Sequence, residues 1–156
     1  MVGITQAEAE KKLSSIKDTE GLRNLINQLD VSTHGSTTVL YSGMVNGVHS
    51  TKIINALQKD PNYRVIDNTE AAKFLSTADQ KSSPLGKKLR EIFPSKNREL
   101  SREAIEFLFG SQQNGVRQNN GAWDIVSEKF VSGASGNVRV MGHMDPNRVF
   151  AETERP

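Results

Sequence analysis

Hydrophobic positions near the start of the chain recur at helical spacing and then give way to a short strand-like run. Thr5-Gln6-Ala7-Glu8 has the form of a capping box, which predicts a first helix reaching about Lys17. A second helix is predicted where apolar residues fall three and four positions apart, at Leu22, Leu25, Ile26 and Leu29. The β-branched and aromatic run Thr38-Val39-Leu40-Tyr41 predicts a buried strand that stops at Ser42-Gly43.

Strand and helix continue to alternate along the rest of the chain. A helix after Ser50 or Thr51 precedes a second strand, Tyr63-Arg64-Val65-Ile66, and Asp67-Asn68-Thr69 then caps another helix. Three later helices are predicted from Ser83-Pro84, from Ser101 with Ile105, Leu108 and Phe109, and from one apolar face at Trp123, Val126 and Phe130. A polar loop is expected from Gly115 to Gly121, and strands at Val138-Arg139-Val140-Met141 and Arg148-Val149-Phe150.

This order of elements predicts an α/β fold in a single domain, residues 1–156. Strand-then-helix units favour parallel pairing. We therefore expect a small, mostly parallel central sheet of about four strands flanked by helices. One helical cluster is inserted between the second and third strands, and an N-terminal helical segment, residues 1–38, precedes the predicted functional core, residues 39–156.

Composition excludes several classes of protein. The 156 residues include no cysteine, so disulfides, thiolate metal sites and a cysteine nucleophile are ruled out, and a reducing cytosol is favoured. Twenty basic and eighteen acidic side chains give a net charge of +2, which argues against nucleic acid or membrane lipid as a partner. No apolar stretch approaches a membrane span, and the first residues lack the features of a signal peptide.

Polar residues follow two of the predicted strands, at Tyr41-Ser42-Gly43 and at Ile66-Asp67-Asn68-Thr69. Ligands of open parallel sheets bind beyond the carboxyl ends of the strands, where helix N-termini offer free N–H groups to phosphates. These residues therefore indicate a phosphate site. The alternative is a plain turn at Ser42-Gly43 and a plain helix cap at Asp67-Asn68-Thr69.

Other candidate residues admit two interpretations each. Trp123, with Ser127 one turn further along, is either a stacking platform for a flat ring or a core residue. Glu152 and Glu154 face the same way on a strand and form either an acid/base pair or a solvated face. The spacing of the histidines, His34, His49 and His143, suggests no metal site.

Taken in order, four segments of the chain resemble the ADP-ribosyl cyclase family, and in particular its bacterial NAD-degrading toxins. They are Val39–Gly43, Ile66–Leu75, Trp123–Phe130 with Val138–Met141, and Val149–Pro156. The first is similar to the family's strand ending in an aromatic residue and serine, and the second to its acidic segment before a helix. The third matches its Trp-x-x-x-Ser helix, and the fourth its closing segment, in which an aromatic residue precedes the catalytic glutamate.

The resemblance implies an NAD glycohydrolase that cleaves the nicotinamide–ribose bond, with NAD or NADP as substrate and no cofactor or metal. It implies that Glu154 is the catalytic carboxylate, with Glu152 as the alternative if the register differs by two residues. Trp123 would stack on nicotinamide with Tyr41 as a second aromatic, and Ser127 would bond a ribose hydroxyl. Asp67 would contact the nicotinamide amide. Pyrophosphate would contact Ser42 and the backbone near Gly43 and Phe150, and Ile66 would complete the substrate-binding set.

Some family features are missing or altered in this chain. The animal members are rich in disulfides, so the absence of cysteine fits only the bacterial branch. Gly43 stands where eukaryotic members carry a basic side chain, and Asn68 replaces the second acid of the acidic pair. The chain also ends two residues beyond Glu154, so we expect the last segment to pair into the sheet.

A bacterial toxin of this kind implies a cognate immunity protein that occludes the NAD cleft. It also implies delivery into a competitor's cytoplasm by a contact-dependent machine, as for type VI secretion effectors, without a signal peptide. Two other functions remain open. One is a mono-ADP-ribosyltransferase toxin, which also uses NAD and a glutamate, and the other is a non-enzymatic α/β interaction domain in which Trp123 is core.

Overall fold

Helices alternate with short strands in a computed structural model of the chain, which describes residues 3–41, 44–45, 48–49, 51–96, 99–133 and 138–141. The helices are α1 (Gln6–Lys12), α2 (Thr19–Gln28), α3 (Thr51–Lys59), α4 (Glu70–Leu75), α5 (Pro84–Ile92), α6 (Arg102–Phe109) and α7 (Ala122–Ser132). The strands are β1 (Thr37–Tyr41), β2 (Met44–Val45), β3 (Val48–His49), β4 (Tyr63–Val65), β5 (Gln112–Gln113), β6 (Val116–Arg117) and β7 (Val138–Met141). Short 3₁₀ turns follow α1 and β4, at Leu13–Ser15 and Ile66–Asn68.

The central sheet has three parallel strands within the described ranges, in the order β4-β1-β7. Its central strand pairs Thr38 with Arg64 on one side and with Val138 on the other. These observations confirm the mixed α/β class and the parallel pairing. They also confirm the helical insertion between β4 and β7, which are the second and third strands of this sheet in chain order. The predicted size of about four strands is not reproduced, because the fourth predicted strand, Arg148–Phe150, lies outside the described residues.

The predicted helix starts are confirmed by side-chain caps. Thr5 and Glu8 form a reciprocal capping box at α1. Thr69 caps α4 by accepting from the Ala72 amide, and Ser83 and Ser101 cap α5 and α6 in the same way. Each cap satisfies an amide that has no partner within its own helix, so these boundaries are set by local sequence.

One hydrophobic cluster joins the N-terminal helices to the inserted ones. Its largest buried side chains include Leu22, Ile26 and Leu29 of the N-terminal part and Phe74, Leu89 and Phe130 of the insertion. α1 and α2 are therefore part of the same core as α4 to α7. The N-terminal segment also contributes to the sheet, because β1 begins at Thr37. A separate parallel bridge between Ile4 and Leu29 joins the two ends of this segment's helical part.

Three local features differ from the sequence-based expectations. Hairpins β2–β3 and β5–β6 form where no strand was predicted. Ile66 belongs to a 3₁₀ turn, because the chain bends there to reach the Thr69 cap. In α6 the buried face carries Ala104, Phe107 and Leu108, whereas Ile105 and Phe109 are each 46% exposed.

Across the described residues, every helix is too short or too polar to cross a membrane.

Candidate functional site

The carboxyl ends of β1 and β4 lie side by side and bring two of the predicted site residues to one edge of the sheet. The two strands are parallel and pair Val39 with Val65, so Tyr41 at the end of β1 is level with the turn that follows β4. Asp67 lies in that turn and is exposed. This edge is where an open parallel sheet binds its ligands.

The turn after β4 is held on two sides. The Thr69 hydroxyl donates to the Ile66 carbonyl at 2.6 Å. The side-chain Nδ2 of Asn68 donates to the backbone carbonyl of Gln58, in α3, at 3.3 Å. Ile66 itself is 7% exposed and packs into the core. Asp67 is thus exposed to solvent between two residues, Ile66 and Asn68, that are both held in place. Of the predicted capping residues, Thr69 makes the helix cap.

Trp123 and Ser127 lie one turn apart on α7. Trp123 is partly buried and packs against the hydrophobic cluster, so it contributes to the core. Ser127 is 2% exposed, between the fully buried Val126 and Phe130. Trp123 is therefore partly accessible to solvent, whereas Ser127 is not.

Five of the predicted site residues lie outside the described residues: Ser42, Gly43, Phe150, Glu152 and Glu154. The assignment of catalysis to Glu154 and the alternative, Glu152, both stay predictions.

A buried ion pair fixes the first turn of α7, next to Trp123. The Arg117 Nη1 donates to Asp124 Oδ2 at 3.0 Å and to the Phe109 carbonyl at 2.7 Å. The same Asp124 oxygen accepts from the Gly121 amide at 2.8 Å. Arg117 is 7% exposed and Asp124 1%, so the pair is shielded from water. The 115–121 stretch, expected to be a polar loop, is thereby tied to the helix start.

Arg64 was not identified from the sequence as a candidate site residue. It lies in the three-residue strand β4 and is only 7% exposed. Its Nη1 donates to Thr38 Oγ1 at 2.8 Å and to the Phe130 carbonyl at 3.4 Å, and its guanidinium lies 4.3 Å from the centre of the Phe130 ring. Burial lowers the pKa of Arg64, because desolvation penalises its charged form. The available signal was a charged residue inside a short run of aromatic and β-branched side chains.

Among the described residues, no group of three acidic or histidine side chains is placed to hold a metal ion.

Comparison of the chain with family models, with curated proteins and with solved structures finds no match.

Proposed function

We propose that the chain is an NAD glycohydrolase that hydrolyses the nicotinamide–ribose bond of NAD or NADP. The observation that carries the proposal is the shared edge of β1 and β4, where the end of β1 at Tyr41 lies level with the exposed Asp67. Both residues belong to the segments that resemble ADP-ribosyl cyclases. α7, which carries the Trp-x-x-x-Ser segment, directly precedes the third strand of the same sheet, β7.

The chemistry needs few groups, because nicotinamide is already cationic in NAD and leaves without gaining a proton. The bond between its ring nitrogen and the ribose anomeric carbon breaks, and the electron pair stays on nicotinamide. A carboxylate, assigned to Glu154, stabilises the oxocarbenium that develops on the ribose. Water then attacks the anomeric carbon and releases a proton to solvent, giving ADP-ribose.

The remaining roles follow from exposure in the described part. Trp123 is only partly buried and would stack on the cationic nicotinamide, because a cation favours contact with an aromatic face. Asp67 would bind the nicotinamide amide. Ser127 is buried, so the proposal gives it a hydroxyl contact only in a state in which α7 has moved.

The proposal extends to the fourth strand and to the biology. Residues 148–150 would add a strand to the central sheet and hold Glu154 at its edge. An immunity protein would silence the enzyme in the producing bacterium, and a secretion machine would deliver it to a competitor's cytoplasm. Depletion of NAD there would be the toxic event.

The decisive experiment incubates the purified full chain with NAD and follows nicotinamide and ADP-ribose by chromatography. Glu154→Gln is expected to lower kcat by about 100-fold or more, and Glu152→Gln, the matched control two residues away, to leave it within about threefold. Circular dichroism establishes that both variants fold.

Each other outcome identifies a different function. If Glu152→Gln is the inactive variant, the catalytic register shifts by two residues. Label transferred to protein indicates an ADP-ribosyltransferase, and a cyclic product indicates a cyclase. If the wild-type chain consumes no NAD, the proposal is wrong.

A further inference from the structure

The structure has a cleft of about 790 Å³. It is bounded by the end of α2, by the segment 31–35 that leads into β1, by Arg64 of β4, and by the last turn of α7 at Lys129 and Gly133. None of the described NAD-site residues lines it. Its volume is within the range of small-molecule sites.

Arg64 supplies a buried positive charge to this cleft. Its acceptors in the described part of the chain are both neutral, the Thr38 hydroxyl and the Phe130 carbonyl. No described carboxylate lies within ion-pair distance of it. A buried guanidinium pays a desolvation cost that a hydroxyl, a carbonyl and an aromatic face offset only in part. An anion that enters the cleft would supply the missing countercharge.

Lys129 adds a second cation. Its Nζ donates to the Asn27 carbonyl, and it too lacks a carboxylate partner among the described residues. One acid, Asp30, lines the same cleft, and its Oδ1 is occupied by the Ser32 amide at 2.8 Å. Two cations against one acid leave the lining with a net positive charge.

Neutral donors complete the lining. The hydroxyls of Ser32 and Thr33 make no hydrogen bond to any described residue, and neither does the Gly35 amide. Gly35 has a φ of 105°, and a Cβ there would lie 2.4 Å from the Tyr63 carbonyl carbon. The segment 31–35 therefore approaches β4 closely at Gly35, and Ser32, Thr33 and Gly35 line the same cleft as the two cations.

We propose that this cleft binds a phosphate group of a small-molecule ligand. A phosphate offers three acceptor oxygens and up to two negative charges, which suits a guanidinium, an ammonium and several neutral N–H and O–H donors together. A carboxylate has two oxygens and one charge and would leave some of these donors unused. The described lining shares no residue with the proposed NAD site, so neither proposal depends on the other.

The test measures binding of inorganic pyrophosphate to the full chain by titration calorimetry, at an ionic strength held constant with NaCl and without NAD. The wild type is expected to bind, Arg64→Met to raise Kd at least about tenfold, and Lys129→Gln to raise it about threefold. Lys87→Gln removes the same charge from an exposed position outside the cleft and is expected to leave Kd unchanged. Succinate is expected to bind more weakly than pyrophosphate.

Three results would overturn the proposal: no binding to the wild type, binding to Arg64→Met as tight as to the wild type, or tighter binding of succinate than of pyrophosphate. If Arg64→Met does not fold, Lys129→Gln decides the question, because the Lys129 side chain is only partly buried and its loss should not unfold the chain. An unchanged Kd in a folded Lys129→Gln protein would then contradict the site. Loss of pyrophosphate binding by Ser42→Ala but by neither cleft variant would place the anion at the proposed NAD site instead.

Discussion

Arg64 and Arg117 are buried to the same degree, 7% exposed each, and differ in what surrounds their guanidinium groups. Arg117 meets the Asp124 carboxylate, two carbonyls and the Asn119 amide oxygen. Arg64 meets one hydroxyl, one carbonyl and an aromatic face. Each arginine lines a cavity, of about 790 Å³ for Arg64 and about 390 Å³ for Arg117. The two arginines are therefore equally buried, but only the charge of Arg117 is neutralised by a carboxylate among the described residues.

The difference separates a structural role from a binding role. A buried pair holds two parts of the chain together, and removing either partner leaves an uncompensated charge. A buried cation without a carboxylate partner lowers the stability of the fold through desolvation. Residues that lower stability without holding the fold together are typical of functional sites. The first three predictions below test this contrast, and a fourth tests an exposed helix cap; they run from the largest expected effect to the smallest.

Arg117→Met is expected to cost about 3 kcal/mol of unfolding free energy, or more, because Asp124 is left charged and 1% exposed. Urea unfolding followed by circular dichroism measures this loss. Asp124→Asn is the matched variant on the other side of the pair. If the two residues act as a unit, the double variant is about as stable as the worse single one, whereas additive losses would show that they act separately.

Arg64→Met is expected to cost only about 1 kcal/mol in the same assay. It loses the hydrogen bonds to Thr38 and to the Phe130 carbonyl, but it also removes a buried charge that no described carboxylate neutralises. A loss as large as that of Arg117→Met would remove the contrast between the two arginines. It would show that Arg64 is as structural as Arg117.

Lys129→Gln is expected to change the unfolding free energy by less than about 0.5 kcal/mol. Its side chain lines the cleft and is half-buried, and its ammonium donates to one backbone carbonyl. In the variant, water can donate to that carbonyl in place of the ammonium. Thermal unfolding, followed with and without pyrophosphate, separates the two roles of this residue. A large loss without ligand would place Lys129 with Arg117 as a structural cation.

Glu8→Gln should have the smallest effect and a defined pH dependence. The hydrogen bonds to the Thr5 amide and hydroxyl hold the pKa of Glu8 below its ordinary value of 4.5. A lowered pKa stabilises the fold above pH 4.5, and this contribution is lost as the pH falls through the folded value. Wild type is therefore expected to melt slightly higher than Glu8→Gln at pH 7, by at most about 2 °C, and the gap to close in acid.

Local signals made much of the fold predictable. Thr5, Ser83 and Ser101 each cap a helix as expected, because a cap needs only a hydroxyl and an amide three residues away. The three described strands of the central sheet were also found, since β-branched and aromatic residues cluster in them. The predicted parallel pairing followed from the alternation of strand and helix, and the structure has it.

Features set by distant contacts were not predictable from pattern. The hairpin β5–β6 consists largely of polar residues and is anchored by Arg117 reaching Asp124, a contact that no periodicity encodes. In α6, Ala104, Phe107 and Leu108 have the same spacing as Ile105, Leu108 and Phe109. Only the neighbouring helices decide which of the two faces is buried.

The candidate site divides in the same way. Asp67 was predicted because it follows a strand, and it lies exposed at the expected edge. Trp123 fits both of its interpretations, since one ring can pack against the core and present a face. Arg64 was missed, because a single charge within a strand has a meaning only once the strand is known to be buried.

The central strand β1 meets its two neighbours over very different lengths of chain. β4 pairs with it from about 26 residues away, and β7 from about a hundred. Loop-closure entropy grows with the logarithm of length, so a fourfold separation adds only about 1.2 kcal/mol. The insertion of four helices into the sheet therefore costs little at equilibrium. The insertion is expected to lower the folding rate instead, because long-range parallel pairing is slow. We therefore expect β7 to dock last.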